Sequence, residues 1–136
     1  MKSRLLIIAG IVIVIISVLV LRTCSAPSDK GRLVYEQHCA NCHGDNGEGF
    51  AMYPPLLKAD YLDQHSSQFA CITQYGLKEE IMVNGKKYNQ AMPANLNLSS
   101  TDITNLANYV YQTFSTSGKP FTQDKIKKQL ENCQKR

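Results

Sequence analysis

The chain has 136 residues, 43% of them hydrophobic, and a formal net charge of +4 at pH 7. That length suits one domain with a tail and leaves too little chain for two sizeable cores. Without Lys2, Arg4 and Arg22 the remainder carries 12 basic against 11 acidic residues, and apart from the short Lys125 to Lys128 patch nothing in it points to nucleic acid as a partner.

In chain order, Leu5 to Leu21 (LLIIAGIVIVIISVLVL) runs 17 residues without a charge, at the short end of the roughly 17–25 that span a bilayer as a nearly upright helix. Lys2 and Arg4 precede it, and the positive-inside rule keeps them cytoplasmic and sends everything after Arg22 across the membrane. Ala26 is the best small-residue position for cleavage, but Pro27 follows it and obstructs a signal peptidase, so an uncleaved anchor over residues 1–22 is expected. Cys24 offers a second kind of tether, as the lipid-modified cysteine of a bacterial lipoprotein. LRTC matches that signal poorly, because it wants a small residue before the cysteine and rarely tolerates an arginine there. Either tether holds the exported part at the outer face of the cytoplasmic membrane.

Residues 23–29, including SAPSD, read as a linker; residues 30–117 form the domain and 118–136 a helical tail. Leu33, Val34 and Tyr35 fit a helical stretch from Gly31 to His38 that ends at the cysteines. GDNGEG (Gly44 to Gly49) holds too many glycines for a helix or strand and is a loop leading to Pro54-Pro55. Ser66 or Ser67 is placed to cap a helix carrying Phe69, Cys71, Ile72 and Tyr75, stopped at Gly76. In IMVNGKKY, Asn84-Gly85 between short flanks predicts a tight hairpin, too short to make a β protein.

The clearest helix lies in LSSTDITNLANYVYQTF. Ser99 is its cap, Asp102 the capping-box partner at the third helical position, and Leu98 can staple onto Ile103. Ile103, Leu106, Val110 and Phe114 supply an apolar face at helical spacing. Past Gly118 and Pro120, Thr122 can cap a last helix with Ile126, Leu130 and Cys133 on one stripe. The fold class is all-α.

Cys39-Ala40-Asn41-Cys42-His43 is C-x-x-C-H, for which three chemistries compete. A structural zinc site needs four ligands, usually from two paired clusters, and no second CxxC or HxxxH exists here. A thioredoxin-like pair belongs after a strand in a βαβ pattern, which is absent. Haem attachment uses all three residues at once: each thiol adds to one vinyl group of the porphyrin, and the histidine is delivered to the iron. The exported location fits, since haem c is attached outside the cytoplasmic membrane.

An iron with one histidine needs a second axial ligand. Met1 is cytoplasmic, Met82 follows Ile81 on a strand or helix edge, and Met52 stands close to the loop after His43. Met92, followed by Pro93 in QAMPAN, is a rigid turn far enough downstream to wrap over the opposite face. It is the expected ligand, against core filling as the ordinary role of a methionine. His38, immediately before Cys39, points away from the iron and is read as a solvated helix-end residue; His65 is read as a polar loop residue. Tyr53, Tyr75 and Tyr88 are candidates to hydrogen-bond a haem propionate or fill the pocket, with Tyr88 favoured for its proximity to Met92.

The stretch from Lys30 to Ser117 resembles a class I (mitochondrial-type) cytochrome c. The resemblance rests on CANCHG, on the GxxGxG loop from Gly44 to Gly49, on Pro54-Pro55-Leu56, on Met92-Pro93, and on Gly31 and Tyr35 with Leu106 and Tyr109. It implies a cytochrome c fold, helices crossing where the glycine allows close approach, and the two aromatics packed beside the haem. It further implies thioethers from Cys39 and Cys42, iron ligation by His43 and Met92, and a carbonyl of Pro54 or Pro55 accepting from the second ring nitrogen of His43. Such an acceptor fixes the ring and raises its basicity. Pro55 and Tyr88 are accordingly named with the four haem contacts as cofactor-binding residues.

Cys71, Cys133 and the tail lie outside the family pattern. In an oxidising compartment cysteines tend to pair, and a Cys71–Cys133 disulfide pinning the tail helix is expected, with two separate thiols or a pairing that involves Cys24 as alternatives. With both axial positions filled by protein, the expected function is one-electron Fe(III)/Fe(II) transfer rather than catalysis. The expected partners are a quinol-oxidising complex upstream and a terminal oxidase downstream. Two other readings stay open: a haem subunit fixed in a dehydrogenase or oxidase complex, and a sensor or peroxidase with a labile sixth ligand.

Overall fold

The computed structural model describes residues 10–15 and 28–133. Residues 10–15 are helical, and Ile11 to Ile15 are exposed. The rest of the expected anchor, and Cys24, lie outside the described residues. Among the described residues no helix is long and apolar enough to cross a membrane.

The described elements are α1 (Ser28–His38), α2 (Ala40–His43), α3 (Asp60–Gln64), a 3-10 turn (Ser66–Gln68), α4 (Phe69–Tyr75), β1 (Ile81–Val83), β2 (Lys86–Tyr88), α5 (Ser100–Thr113) and α6 (Gln123–Cys133). The all-α expectation fits, with one two-stranded hairpin added. Helix α1 begins at Ser28, inside the stretch expected to be linker, and Asp29 in its first turn suits the positive end of the helix dipole.

The frame of the fold is the crossing of α1 and α5. Gly31 makes it possible, since a Cβ there would lie 2.2 Å from the Asn105 carbonyl oxygen and 2.6 Å from Tyr109 Cβ. Tyr35, one turn on, is fully buried and meets the rings of Tyr109 at 5.5 Å and Phe114 at 5.2 Å between centroids. Leu33 is instead half exposed, because the buried stripe of α1 runs through Gly31 and Tyr35 and Leu33 falls outside it.

Helix α5 starts as the sequence predicts. The Ser99 side chain accepts from Asp102 N–H, and the Asp102 carboxylate accepts from Ser99 N–H at 3.0 Å, the reciprocal capping box. Ile103, Leu106, Val110 and Phe114 are all buried. The hairpin also forms as predicted, Ile81 pairing with Tyr88 and Val83 with Lys86. Asn84 and Gly85 adopt the positive φ angles, 49° and 77°, that a two-residue turn of this hand requires. Its tip is tied to α3 by a reciprocal pair: Asp60 N–H donates to Asn84 Oδ1, and Asn84 N–H to Asp60 Oδ1.

The α4 start differs from expectation. Neither Ser66 nor Ser67 caps it; both lie in the 3-10 turn, and the residue at the cap position, Gln68, makes no side-chain capping bond. The tail packs back on the domain. Asn108 of α5 exchanges two bonds with the Phe121 backbone, at 2.7 and 3.0 Å, and the Phe121 ring packs tilted against Tyr111 at 4.7 Å between centroids. Ile126 is fully buried, and Thr122 Oγ1 accepts from Lys125 N–H at the start of α6. A Cys71–Cys133 disulfide with a Cα–Cα distance of 5.6 Å joins α4 to α6. The two cysteines are 62 residues apart in sequence, and closing a loop of that length stabilises a fold by about 4 kcal/mol in the chain-entropy model.

Candidate functional site

Where α1 ends the chain makes a single further turn, α2, that carries the CxxCH residues. Cys42 N–H and His43 N–H both bond to the Cys39 carbonyl, at 3.1 and 2.9 Å, so the two thiols and the imidazole share one helical turn. The chain then leaves through Gly44, with φ 82°, and the glycine loop folds back: Gly49 N–H bonds the His43 carbonyl at 2.7 Å, while Leu56 and Leu57 N–H both bond the Gly47 carbonyl. Gly47 sits against the Phe114 ring, 2.9 Å from where a Cβ would be. This loop sets Pro54 beside His43, and His43 Nδ1 lies 2.9 Å from the Pro54 carbonyl oxygen. The acceptor is therefore Pro54 and not Pro55, because only the Pro54 carbonyl is turned toward the ring. Pro55 lines the cavity instead.

Cys39, Cys42, His43 and Met92 all border one cavity. Its walls come from α3 (Tyr61, Leu62), α4 (Phe69, Ile72, Thr73), the hairpin (Ile81, Val83, Tyr88) and α5 (Leu106, Val110, Tyr111). Residues far apart in sequence thus make a mostly apolar slot edged by a few polar groups. Tyr88 and Tyr53 line it, while Tyr75 is exposed and stands outside it. Met52 and Met82 are about half exposed and do not reach the cavity. Met92 is brought there by a bridge in which Leu77 and Met92 exchange backbone hydrogen bonds, at 3.1 and 2.8 Å.

Burial pushes the Cys39 thiol up to about 12, with the neighbouring Cys42 adding to the effect. Burial likewise lowers the pKa of His43, partly offset by its bond to Pro54, so the imidazole is held neutral with Nε2 free for a metal. Cys39 and Cys42 are free thiols in a fold whose Cys71 and Cys133 are paired. Two unpaired sulfurs and a neutral imidazole lining an apolar slot, with a thioether in the same lining, fit a covalently attached porphyrin. Among the described residues no group of three or more His, Cys, Asp or Glu side chains is arranged to hold a metal ion.

The two other histidines differ from each other. His38 is exposed at the end of α1 and borders the cavity from there. His65 is not a plain loop residue: it ends α3 half buried, lines the cavity, stacks on Tyr61 at 3.8 Å and 16°, and sets Nδ1 2.9 Å from the Tyr61 carbonyl. The Tyr61 and His65 spacing, four residues apart, was the signal for this pair, but it shows only once DYLDQ is known to be helical. Thr73 and Asn95 were not singled out from the sequence either; Asn95 N–H bonds the Thr73 carbonyl at 3.3 Å, and both border the slot.

The cytochrome c family model matches residues 28–114. The chain is similar to cytochrome c-552 of Thermus thermophilus, 32% identical over 108 residues that cover 72% of this chain and 82% of that protein. It is likewise similar to the cytochrome c-552 of a further T. thermophilus strain, 32% identical over 108 residues and 72% of each chain. A shorter likeness, 38% over 55 residues, covers 36% of this chain and 7% of the dehydrogenase subunit of a quinone alcohol dehydrogenase from Acetobacter aceti.

Proposed function

Since the chain belongs to the cytochrome c family, whose haem c is covalently bound, we propose that it is a membrane-tethered monohaem electron carrier in which His43 and Met92 would hold the iron. Cys39 and Cys42 would hold the thioethers. The observation that carries this reading is that these four residues border one apolar cavity, while Met52 and Met82 are exposed away from it.

The haem iron supplies a one-electron Fe(III)/Fe(II) couple when bound. The protein's part is to orient, to shield and to bias. Pro54 fixes the His43 ring and its tautomer through Nδ1 and strengthens Nε2 as a donor. A Met92 sulfur would favour the ferrous state, and the apolar lining of Leu106, Val110 and Phe69 would raise the potential further. With His43 and Met92 both holding the iron, no open position would be left for oxygen or peroxide.

Tethering is supported by the apolar run Leu5 to Leu21 behind Lys2 and Arg4, with the haem domain on the outer side of a bacterial cytoplasmic membrane and lipidation at Cys24 as the less suited means. A quinol-oxidising complex as donor and a terminal oxidase as acceptor suit such a position. The likeness to part of a quinone alcohol dehydrogenase subunit favours one second reading, a haem module held in a dehydrogenase complex. Copurification of a fixed partner from gently solubilised membranes would favour that reading over a free carrier.

The test is the absorption spectrum of the membrane-extracted protein in both redox states, with pyridine to identify the haem. A haem c spectrum, a ferric methionine–iron charge-transfer band and no carbon monoxide binding near neutral pH are expected, and Met92→Ala should lose the band and bind carbon monoxide. A wild-type protein that binds carbon monoxide readily would make it a sensor or peroxidase with a labile sixth position.

A further inference from the structure

Helix α4 spans seven residues, too few to hold itself in water, so its orientation is set by what packs on it. Along its first half it is held by α6. Gln129, 8% exposed, reaches in from α6 with Oε1 accepting from Ala70 N–H at 3.0 Å and Nε2 donating to the Ser66 carbonyl at 3.0 Å. It serves as the cap that α4 lacks, supplied from 59 residues away in sequence. One residue on, Cys71 is bonded to Cys133.

The second half of α4 carries the Met92 segment. Thr73 and Gln74 carbonyls accept from Asn95 N–H at 3.3 and 3.1 Å, Gln74 Nε2 donates to Leu96 O at 3.1 Å, and Leu77 exchanges backbone bonds with Met92. The same helix turns Phe69, Ile72 and Thr73 into the cavity.

We propose that α6, through Gln129 and the Cys71–Cys133 disulfide, is the positioning element for the Met92 thioether: it fixes α4, and α4 fixes the segment from which the sulfur is presented. The proposal rests on the reading of Met92 as an iron ligand. An iron–sulfur bond is directional, so a small rotation of α4 is enough to weaken it, while the haem stays attached through Cys39 and Cys42. Gln129 and the disulfide touch neither the iron nor the porphyrin; they act through α4.

The experiment uses the full-length haem protein and compares wild type with Gln129→Leu, Gln129→Glu and the double variant Cys71→Ser/Cys133→Ser. The readouts are the ferric methionine–iron charge-transfer band and the rate of carbon monoxide binding to the reduced protein. Gln129→Leu and the double variant are expected to lose half or more of the band and to bind carbon monoxide at least tenfold faster. Gln129→Glu, which keeps an acceptor for Ala70 N–H, should fall between them and wild type. Ser99→Ala, which removes the α5 cap without touching Gln129 or the disulfide, should leave both readouts unchanged.

A second arm needs no variant. Excess dithiol opens the Sγ–Sγ bond of the mature wild-type protein, giving its two electrons and two protons to Cys71 and Cys133 and leaving as its own cyclic disulfide. The two thiols are then alkylated and the iron reoxidised with ferricyanide, and the same loss of band is expected. Wild-type band and carbon monoxide rate in Gln129→Leu and the double variant, or after verified opening of the disulfide, overturn the proposal. A wild type that itself lacks the band and matches Met92→Ala overturns the ligand assignment, and the proposal with it.

Discussion

Gly76 and Met92 meet backbone against backbone: a Cβ on Gly76 would lie 2.4 Å from the Met92 carbonyl oxygen. Gly76 also has φ 79° and ψ −174°, a region open to glycine alone. Gly76→Ala therefore forces both the turn that ends α4 and the segment that carries Met92. Denaturant unfolding should show a loss of about 1–3 kcal/mol, accompanied by a weaker ferric charge-transfer band. A variant with wild-type midpoint and band would show that the contact has room to relax.

Gly31→Ala tests the other close approach. Its Cβ would meet the Asn105 carbonyl at 2.2 Å and Tyr109 Cβ at 2.6 Å, atoms that cannot swing aside as a side-chain end can. The α1 and α5 axes must then separate, at a cost of about 1–3 kcal/mol or more, and the Tyr35–Tyr109 contact at 5.5 Å should loosen. Thermal unfolding followed in the Soret band and by far-ultraviolet circular dichroism reads this, and an unchanged midpoint would contradict it.

Tyr111 offers a smaller, cleaner perturbation. Its hydroxyl donates to the Leu62 carbonyl at 2.7 Å, one of the last-turn carbonyls of α3 that the helix itself cannot satisfy. Burial raises the tyrosine pKa, with Asp63 adding to the effect, so the hydroxyl remains a donor across the physiological range. Tyr111→Phe keeps the ring packed on Phe69 and Phe121 and removes only that bond, costing about 1–3 kcal/mol. Faster amide exchange in α3 should accompany the loss; exchange like that of wild type would place the bond outside the stabilising set.

The capping box gives a pH dependence with a definite sign. The Asp102 carboxyl is held below its ordinary value, first by the Ser99 side chain and then by the Ser99 backbone N–H. A depressed folded pKa means stability that is complete above the unfolded value of about 3.9 and is lost as pH falls through the folded one. Asp102→Asn should thus be less stable than wild type at neutral pH, and the difference should close in acid. Ser99→Ala should cost about 1 kcal/mol near pH 7. Urea titrations at several pH values measure both, and a difference between Asp102→Asn and wild type that persists at about pH 2 would contradict the assignment.

Local chemistry was readable in advance because it is written in consecutive residues. Cys39, Cys42 and His43 stand one helical turn apart wherever that turn is placed, Ser99 and Asp102 cap whatever helix follows them, and Asn84-Gly85 favours its turn unaided. The α1–α5 crossing at Gly31 was expected only through the resemblance to class I cytochromes c, because nothing local to Gly31 says which helix it meets. Less legible was the start of α4: serines stood where a cap was expected, but the donor is satisfied by Gln129 from another helix.

The sequence by itself pointed to haem c and to an all-α domain around it, and it made Met92 the expected second ligand of the iron. Tertiary structure alone decided that Pro54 rather than Pro55 faces His43, that His65 stacks on Tyr61 at the cavity and that α6 caps α4; it also chose the expected Cys71–Cys133 pairing over its alternatives. The physical reason is range. A helical turn or a two-residue hairpin is set by torsions and hydrogen bonds among neighbours, whereas which of two adjacent carbonyls points at a ring, or which thiols meet, depends on how distant segments settle once the core is packed.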